Sequence, residues 1–279
     1  MKSKLDSNRM LRIFGYGVML FVIIISLVPF VWTFISSFKT NNEILGSAFS
    51  FPTRISFTAY VQAITITKLH LRFVTSLIIC VTSTAVALVI YSMGGYVLGR
   101  VSFKYKEAVF ALLISSLLIP TDAMIQPIYT VINFFGLYDT KMALIVVYTA
   151  FALPICLFLL RSFFANIPKE IEESAYIEGA GFYKTFTWIM VPLAQPAIMS
   201  AAVLSFLGSW NELLFALLLT SSEKNRTLPL SLKYFVSTFN FNYPPMFAAM
   251  VMYMIPSILI YILLQEQIMK SLIVGAVKE

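Results

Sequence analysis

The chain has 279 residues, 59% of them hydrophobic and only 12% charged, and its mean hydropathy is +0.85. Soluble domains average about 45–50% apolar and about 25% charged residues, so these few charges cannot cover a soluble surface and the chain is read as an integral membrane protein. The net charge of +7 does not indicate nucleic acid, because the Lys and Arg residues fall in short loops between apolar spans, where they report topology.

About 20 apolar residues cross a bilayer as a helix, and six stretches qualify: 13–36, 73–98, 108–132, 142–160, 197–220 and 248–265. The first follows Lys2, Lys4, Arg9 and Arg12. Its apolar run is too long for a signal peptide, and no small-residue cleavage site precedes Lys39, so it is read as a retained span. Arg100, Lys104, Lys106, Arg161, Lys169, Lys184, Lys270 and Lys278 would join the N-terminal cations on one side. That distribution puts both termini in the cytoplasm.

Pro29, Pro120, Pro127, Pro154 and Pro256 fall within the spans and are expected to break several of them. Ser92 and Gly94-Gly95 would allow close helix approach. Cys80 and Cys156 lie inside apolar runs and read as small buried hydrophobes rather than a disulfide. The loops 38–71 and 221–247 would face outward, their Pro and aromatic content suggesting ordered caps. His70 is the only histidine, so no His-based metal site is expected. The nearest approach to a P-loop, Gly94 to Gly99, is followed by Arg100 and Val101 instead of Lys and Ser/Thr, so the chain carries no phosphate cradle.

The longest cytoplasmic loop in this topology, 161–193, sits badly with its surroundings. Glu170, Glu172, Glu173 and Glu178 crowd into nine residues, followed by Gly179 and Gly181. Asn166 can cap a helix, Pro168 suits its first turn, and the glutamates favour the positive end of its dipole. The two glycines would stop it by turning left-handed. A second amphipathic turn, 182–188, leads to Pro192 and the next span. Membrane-surface helices are rich in Lys and Arg, whereas this one is acidic, so a protein partner is the better reading. The small residues Ser174, Ala175, Gly179, Ala180 and Gly181 would let that partner approach the backbone.

Glu173-Ser174-Ala175, then Gly179, then Ile189-Met190-Val191-Pro192 resembles the pattern Glu-Ala-Ala, three residues, Gly, nine residues, Ile-x-Leu-Pro of bacterial ABC importer permeases. Ser174 replaces Ala, Val191 replaces Leu, and Glu178 stands at a position usually Asp. The similarity covers nearly the whole chain. Ser209-Trp210-Asn211-Glu212 and the following LFALLLTSSEKNRTLP resemble the fifth span and loop of maltose-type carbohydrate permeases. The tail Gly275-Ala276-Val277-Lys278 is similar to the end of that group's second, smaller permease.

The resemblance implies an all-α integral membrane fold with six transmembrane helices and a cytoplasmic coupling helix between the fourth and fifth, in one permease domain over 1–279. It implies a transport subunit of the bacterial cytoplasmic membrane rather than an enzyme. ATP and Mg would act on separate ATPase subunits, with no cofactor or metal on this chain. The partners implied are an ATPase subunit dimer, a second homologous permease, an extracytoplasmic solute-binding protein, a saccharide and membrane lipid, with no nucleic acid. Glu173, Ser174, Ala175, Glu178 and Gly179 become the candidate ATPase-coupling residues.

Trp210, Asn211 and Glu212 are the candidate substrate-pathway residues. An ionisable group inside a span is costly and points to function by default. The competing reading is that Glu212 meets a polar partner on a neighbouring helix and holds the bundle together. Asp122, between Pro120 and Pro127, poses the same choice near the outer surface. An anionic solute such as a glycerol-phosphate ester would want Arg or Lys in the spans, which have almost none. An ion-coupled secondary transporter would need internal coupling carboxylates and often an inverted repeat, and neither is evident.

Overall fold

The structure is a computed structural model describing residues 2–235 and 242–276; Val277 and Lys278 of the similar tail lie outside them. The chain forms two compact units, one from Met1–Leu69 with Ser231–Met254 and the other from His70–Leu230 with Ile255–Glu279.

In the first unit, α1 (Lys2–Ser36) carries an unbroken apolar stretch from Arg12 to Ser36, its side chains mostly turned outward. After it the chain is ordered by local hydrogen bonds. The ammonium of Lys39, itself buried, donates to the Ala48 carbonyl at 2.9 Å, and Ser37 and Tyr60 share a 2.7 Å hydroxyl contact. The short α2 (Asn41–Gly46) starts in a capping box between Thr40 and Glu43. The Thr40 amide above all, then the Thr53 hydroxyl and amide, hold the Glu43 carboxyl down to about 2. α3 (Thr58–Thr67) ends where Lys68 turns left-handed at φ 48°.

The second unit opens with α4 (Leu69–Arg100) and α5 (Lys106–Ile114), the latter extended by a 3-10 turn to Leu118. A second 3-10 turn, Thr121–Met124, leads into α6 (Ile125–Phe134), and α7 (Lys141–Asn166) follows. Next come α8 (Lys169–Ile177) and α9 (Phe182–Thr185), then a π-helical turn Phe186–Met190 and α10 (Val191–Leu193). α11 (Gln195–Asn211) and α12 (Leu214–Leu219) complete this run, and α13 (Tyr243–Ala276) closes the chain.

Among the described residues four helices are long and apolar enough to cross a membrane: Arg12–Ser36, Leu69–Arg100, Lys141–Asn166 and Tyr243–Leu263. These correspond to the first, second, fourth and sixth expected spans. The other two expected spans are not single straight helices, and counting each bent helix pair as one span would bring the total to six. The stretch 108–132 is two helical pieces, Lys106–Leu118 and Thr121–Phe134, bent by 99°. The break falls at Ile119, which is extended (ψ 117°) because the ring of Pro120 disfavours helical backbone before it. Asp122 is exposed at this bend.

The stretch 197–220 is likewise no single helix. α11 stops at Asn211, Glu212 is extended (ψ 124°), and α12 restarts at Leu214. On its other side, Phe182–Leu193 meets α11 at a 75° bend. Hydropathy gives no sign of either break. Conversely, Pro29, Pro154 and Pro256 lie inside continuous helices and break nothing.

Two cores hold the second unit. In one, Tyr91 and Tyr96 of α4, Cys156, Leu160 and Phe164 of α7, and Ala197 and Ala201 of α11 pack together with Met190 and Ala194. Gly95 makes this approach possible, since a Cβ there would lie 2.8 Å from Leu160 Cβ. The other joins Ile79 of α4, Ile132 of α6, Leu144 and Tyr148 of α7, and Phe215 and Leu219 of α12. Cys80 and Cys156 are both free and buried.

The ends of the second core are tied by Asp139, between α6 and α7. Its carboxylate accepts the Ser221 and Ser222 amides, each at 2.9 Å, and the Ser222 hydroxyl. Burial pushes this carboxyl up, but the donors from Ser222, Ser221 and Asn225 outweigh it and hold the group well below its ordinary range. Nearby, buried Arg72 of α4 pairs with Glu223 at 2.8 Å.

Candidate functional site

The connection between α7 and α11 carries the acidic segment. Asn166 is the last residue of α7 rather than a cap, and Pro168 takes the position before α8 with no side-chain cap. Glu170 and Glu172 occupy the first turn of α8, where the dipole favours negative charge. The Ser174 hydroxyl donates back to the Glu170 carbonyl at 2.7 Å.

The helix ends in a Schellman motif. The Gly179 amide donates to Tyr176 O at 3.0 Å and the Ala180 amide to Ala175 O at 2.9 Å. Gly179 is left-handed at φ +81°. Gly181 is not; it is extended and starts α9. Only one of the two glycines therefore stops the helix by handedness.

The candidate coupling residues divide by face. Glu173, Ser174, Glu178 and Gly179 are exposed, whereas Ala175 is buried against the chain's own fold. Beside the exposed set stand large apolar side chains, with Ile177 87% and Tyr183 76% exposed. An acidic surface interleaved with bare isoleucine and tyrosine suits a protein partner better than water. Glu172 turns the other way, to Tyr96 and Arg100 at the end of α4. Sequence reasoning missed this pair, because Arg100 and Glu172 are 72 residues apart and each has a sufficient local explanation.

The candidate pathway residues lie at the break between α11 and α12. Glu212 accepts the Phe215 amide at 2.7 Å and the Ala216 amide at 3.0 Å, and Tyr148 of α7 donates its hydroxyl at 2.8 Å. The carboxylate thus caps α12 and ties it to α7, which is the competing, bundle-holding arrangement. Trp210 is buried, stacked on Phe206 at 5.6 Å and edge-on to Phe73 at 5.8 Å, so no ring face is open for a sugar. Asn211 is exposed and donates to Leu207 O at 2.9 Å.

Between α7 and α11, a cavity of about 130 Å³ is lined by Tyr148, Phe151, Ile155, Ser205, Ser209 and Glu212 among others, with no basic side chain in its wall. The Ser205 hydroxyl is buried with no hydrogen-bond partner among the described residues. Ser205 and Tyr148 were not singled out in the sequence, since hydroxyls in apolar spans carry no distinctive pattern.

Residues 7–274 match the family described as binding-protein-dependent transport system inner membrane component. The chain is 32% identical to the diacetylchitobiose uptake system permease protein NgcG of Streptomyces coelicolor, over 97% of this chain and 90% of that one. It is 31% identical to the trehalose/maltose transport system permease protein MalG of Thermococcus litoralis, over 91% and 92%. It is 30% identical to the sulfoquinovosyl glycerol transport system permease protein SmoH of Agrobacterium fabrum, over 99% and 96%. A chain of a bacterial ABC transporter involved in importing the acidic polysaccharide alginate shares the fold. The TM-score is 0.81, with 20% identity, over 93% of this chain and 97% of that one.

Proposed function

Because the chain belongs to the family of binding-protein-dependent transport system inner membrane components, we propose that it is the membrane-spanning permease of an ATP-driven importer of a neutral saccharide. α8 is its coupling helix, facing the cytoplasm and docking on an ATPase subunit. The observation that carries this reading is the exposed acidic and apolar face of α8, closed by left-handed Gly179 and anchored at both ends by membrane helices α7 and α11. A second permease completes the pathway, and a solute-binding protein delivers the sugar. Closure of the ATPase dimer pushes α8, and the bundle switches between inward- and outward-facing states by differential binding of the two conformations.

Two observations favour a neutral sugar. Two relatives, at 32% and 31% identity, are named for uptake of diacetylchitobiose and of trehalose or maltose, which are uncharged. SmoH at 30% and the alginate importer at 20% identity are instead named for acidic solutes. The cavity between α7 and α11 presents a carboxylate, hydroxyls and aromatic faces but no cation, so an anionic solute would meet Glu212 unopposed. Ser205, Tyr148 and Glu212 are better placed there than Trp210 to meet sugar hydroxyls.

The test is uptake by proteoliposomes holding the assembled complex and binding protein, with labelled diacetylchitobiose, trehalose and maltose as probes. Internal ATP is expected to drive accumulation of at least one of them with all ion gradients collapsed. Uptake driven by an ion gradient without ATP would instead make the chain a secondary transporter.

A further inference from the structure

α8 is covalently joined to α7 and, through α9 and α10, to α11. Its hydrogen bonds lead elsewhere as well. Arg100, the last residue of α4, donates through Nε to Glu172 Oε2 at 2.6 Å, and its Nη2 makes an ion pair with the same oxygen. Nη1 donates to the Ile167 carbonyl at 2.6 Å, and Nη2 also reaches, more weakly, the Pro168 carbonyl at 3.4 Å. Tyr96, one turn earlier on α4, donates its hydroxyl to Glu172 Oε1 at 2.8 Å. Both carboxylate oxygens are thus engaged, and the Arg100 and Glu172 side chains are only 6% and 12% exposed.

The placement suits the local fields. The Arg100 cation lies against the Ile167 carbonyl at the C-terminal end of α7, and the Glu172 anion lies in the first turn of α8, each at a helix end that favours its charge. A guanidinium presents its five N–H donors in a rigid planar fork that can hold a carboxylate and two carbonyls in fixed directions, whereas an ammonium is a point charge with three rotatable donors. The Tyr96 ring also packs 5.6 Å from Phe164 of α7, 5.4 Å from Phe182 of α9 and 5.0 Å from Phe186 of the π-helical turn.

We propose that Tyr96, Arg100 and Glu172 are positioning residues that clamp α8 to α4, making α4 a third carrier of the coupling movement beside α7 and α11. This rests on the reading of α8 as the coupling helix. A helix docked on a partner delivers its displacement only to elements that cannot slip relative to it. Covalent linkage alone would leave α4 to follow through side-chain packing. The clamp instead joins α4 to α8 at a charged, nearly buried contact, where loss of either partner leaves the other's charge uncompensated.

The experiment uses the reconstituted complex with spin labels at Lys169 of α8 and Met93 of α4, both exposed, in a chain whose Cys80 and Cys156 have been replaced. In the otherwise unaltered chain the inter-label distance is expected to stay fixed when a non-hydrolysable ATP analogue is added. In Glu172→Gln and Arg100→Gln it is expected to broaden or shift with nucleotide, uptake falling at least tenfold while ATP hydrolysis continues. Tyr96→Phe removes one hydroxyl with little risk to folding, and should lower uptake severalfold. Arg100→Lys should recover part of the loss by restoring the charge opposite Glu172. Variants with unchanged distance and unchanged uptake would overturn the clamp and leave the importer reading standing. An unaltered complex without ATP-driven uptake would overturn that reading, and the clamp's role with it.

Discussion

Gly179→Glu is expected to abolish uptake while the protein accumulates in the membrane at its normal level. Gly179 holds φ +81°, and an L side chain in left-handed backbone costs about 1–2 kcal/mol. That cost can be relieved by unwinding the last turn of α8, where the Gly179 and Ala180 amides satisfy the Tyr176 and Ala175 carbonyls. A Cβ at Gly179 meets nothing within 4 Å inside the chain, so the added side chain projects from the exposed face and obstructs docking as well. Gly179→Ala carries the backbone cost with little of the obstruction, and should leave uptake reduced but measurable. Immunoblots of the membrane fraction alongside uptake separate this from misfolding. Normal uptake by Gly179→Glu would remove α8 from the mechanism.

Glu212→Ala should produce the largest loss of stability of any single change at the α11–α12 break. The carboxylate accepts two backbone amides of α12 and the Tyr148 hydroxyl. Hydrogen bonds to charged groups contribute about 1.5–3 kcal/mol each. They are not additive, so about 3 kcal/mol or more is expected overall, seen as a lowered thermal midpoint for the purified complex. Glu212→Gln keeps one acceptor and should fall between. If Glu212 served only to bind sugar, both variants would unfold at the normal temperature and lose uptake alone.

Legibility in the sequence followed the range of the interactions. Four spans and the acidic helix rest on local hydropathy, charge and a glycine stop, and each could be read from neighbouring residues. The break at Ile119–Pro120 had a local signal in Pro120, but four other prolines carried the same signal and only this one coincides with a sharp bend. The break at Glu212 had no local signal. It depends on a carboxylate satisfying the next helix's amides with help from Tyr148, 64 residues earlier. In the sequence Trp210 is a pathway candidate by its place beside Asn211 and Glu212. Its burial against Phe206 and Phe73 is a tertiary fact. Ala175 is similar: its small size suggested room for a partner, but the room is taken by the chain itself. The clamp of Tyr96, Arg100 and Glu172 was invisible because a span-end arginine and a first-turn glutamate are each complete explanations alone.

The most direct test of α8 as the docking helix is a crosslink from Ile177→Cys, 87% exposed on α8, to cysteines lining a groove of the co-purifying ATPase subunit, with Cys80 and Cys156 replaced. Docking of α8 in that groove predicts a specific crosslink whose yield changes when ATP is added. An Ile177→Cys that reacts freely with water-soluble thiol reagents, and gives no crosslink to the ATPase with or without nucleotide, would contradict it.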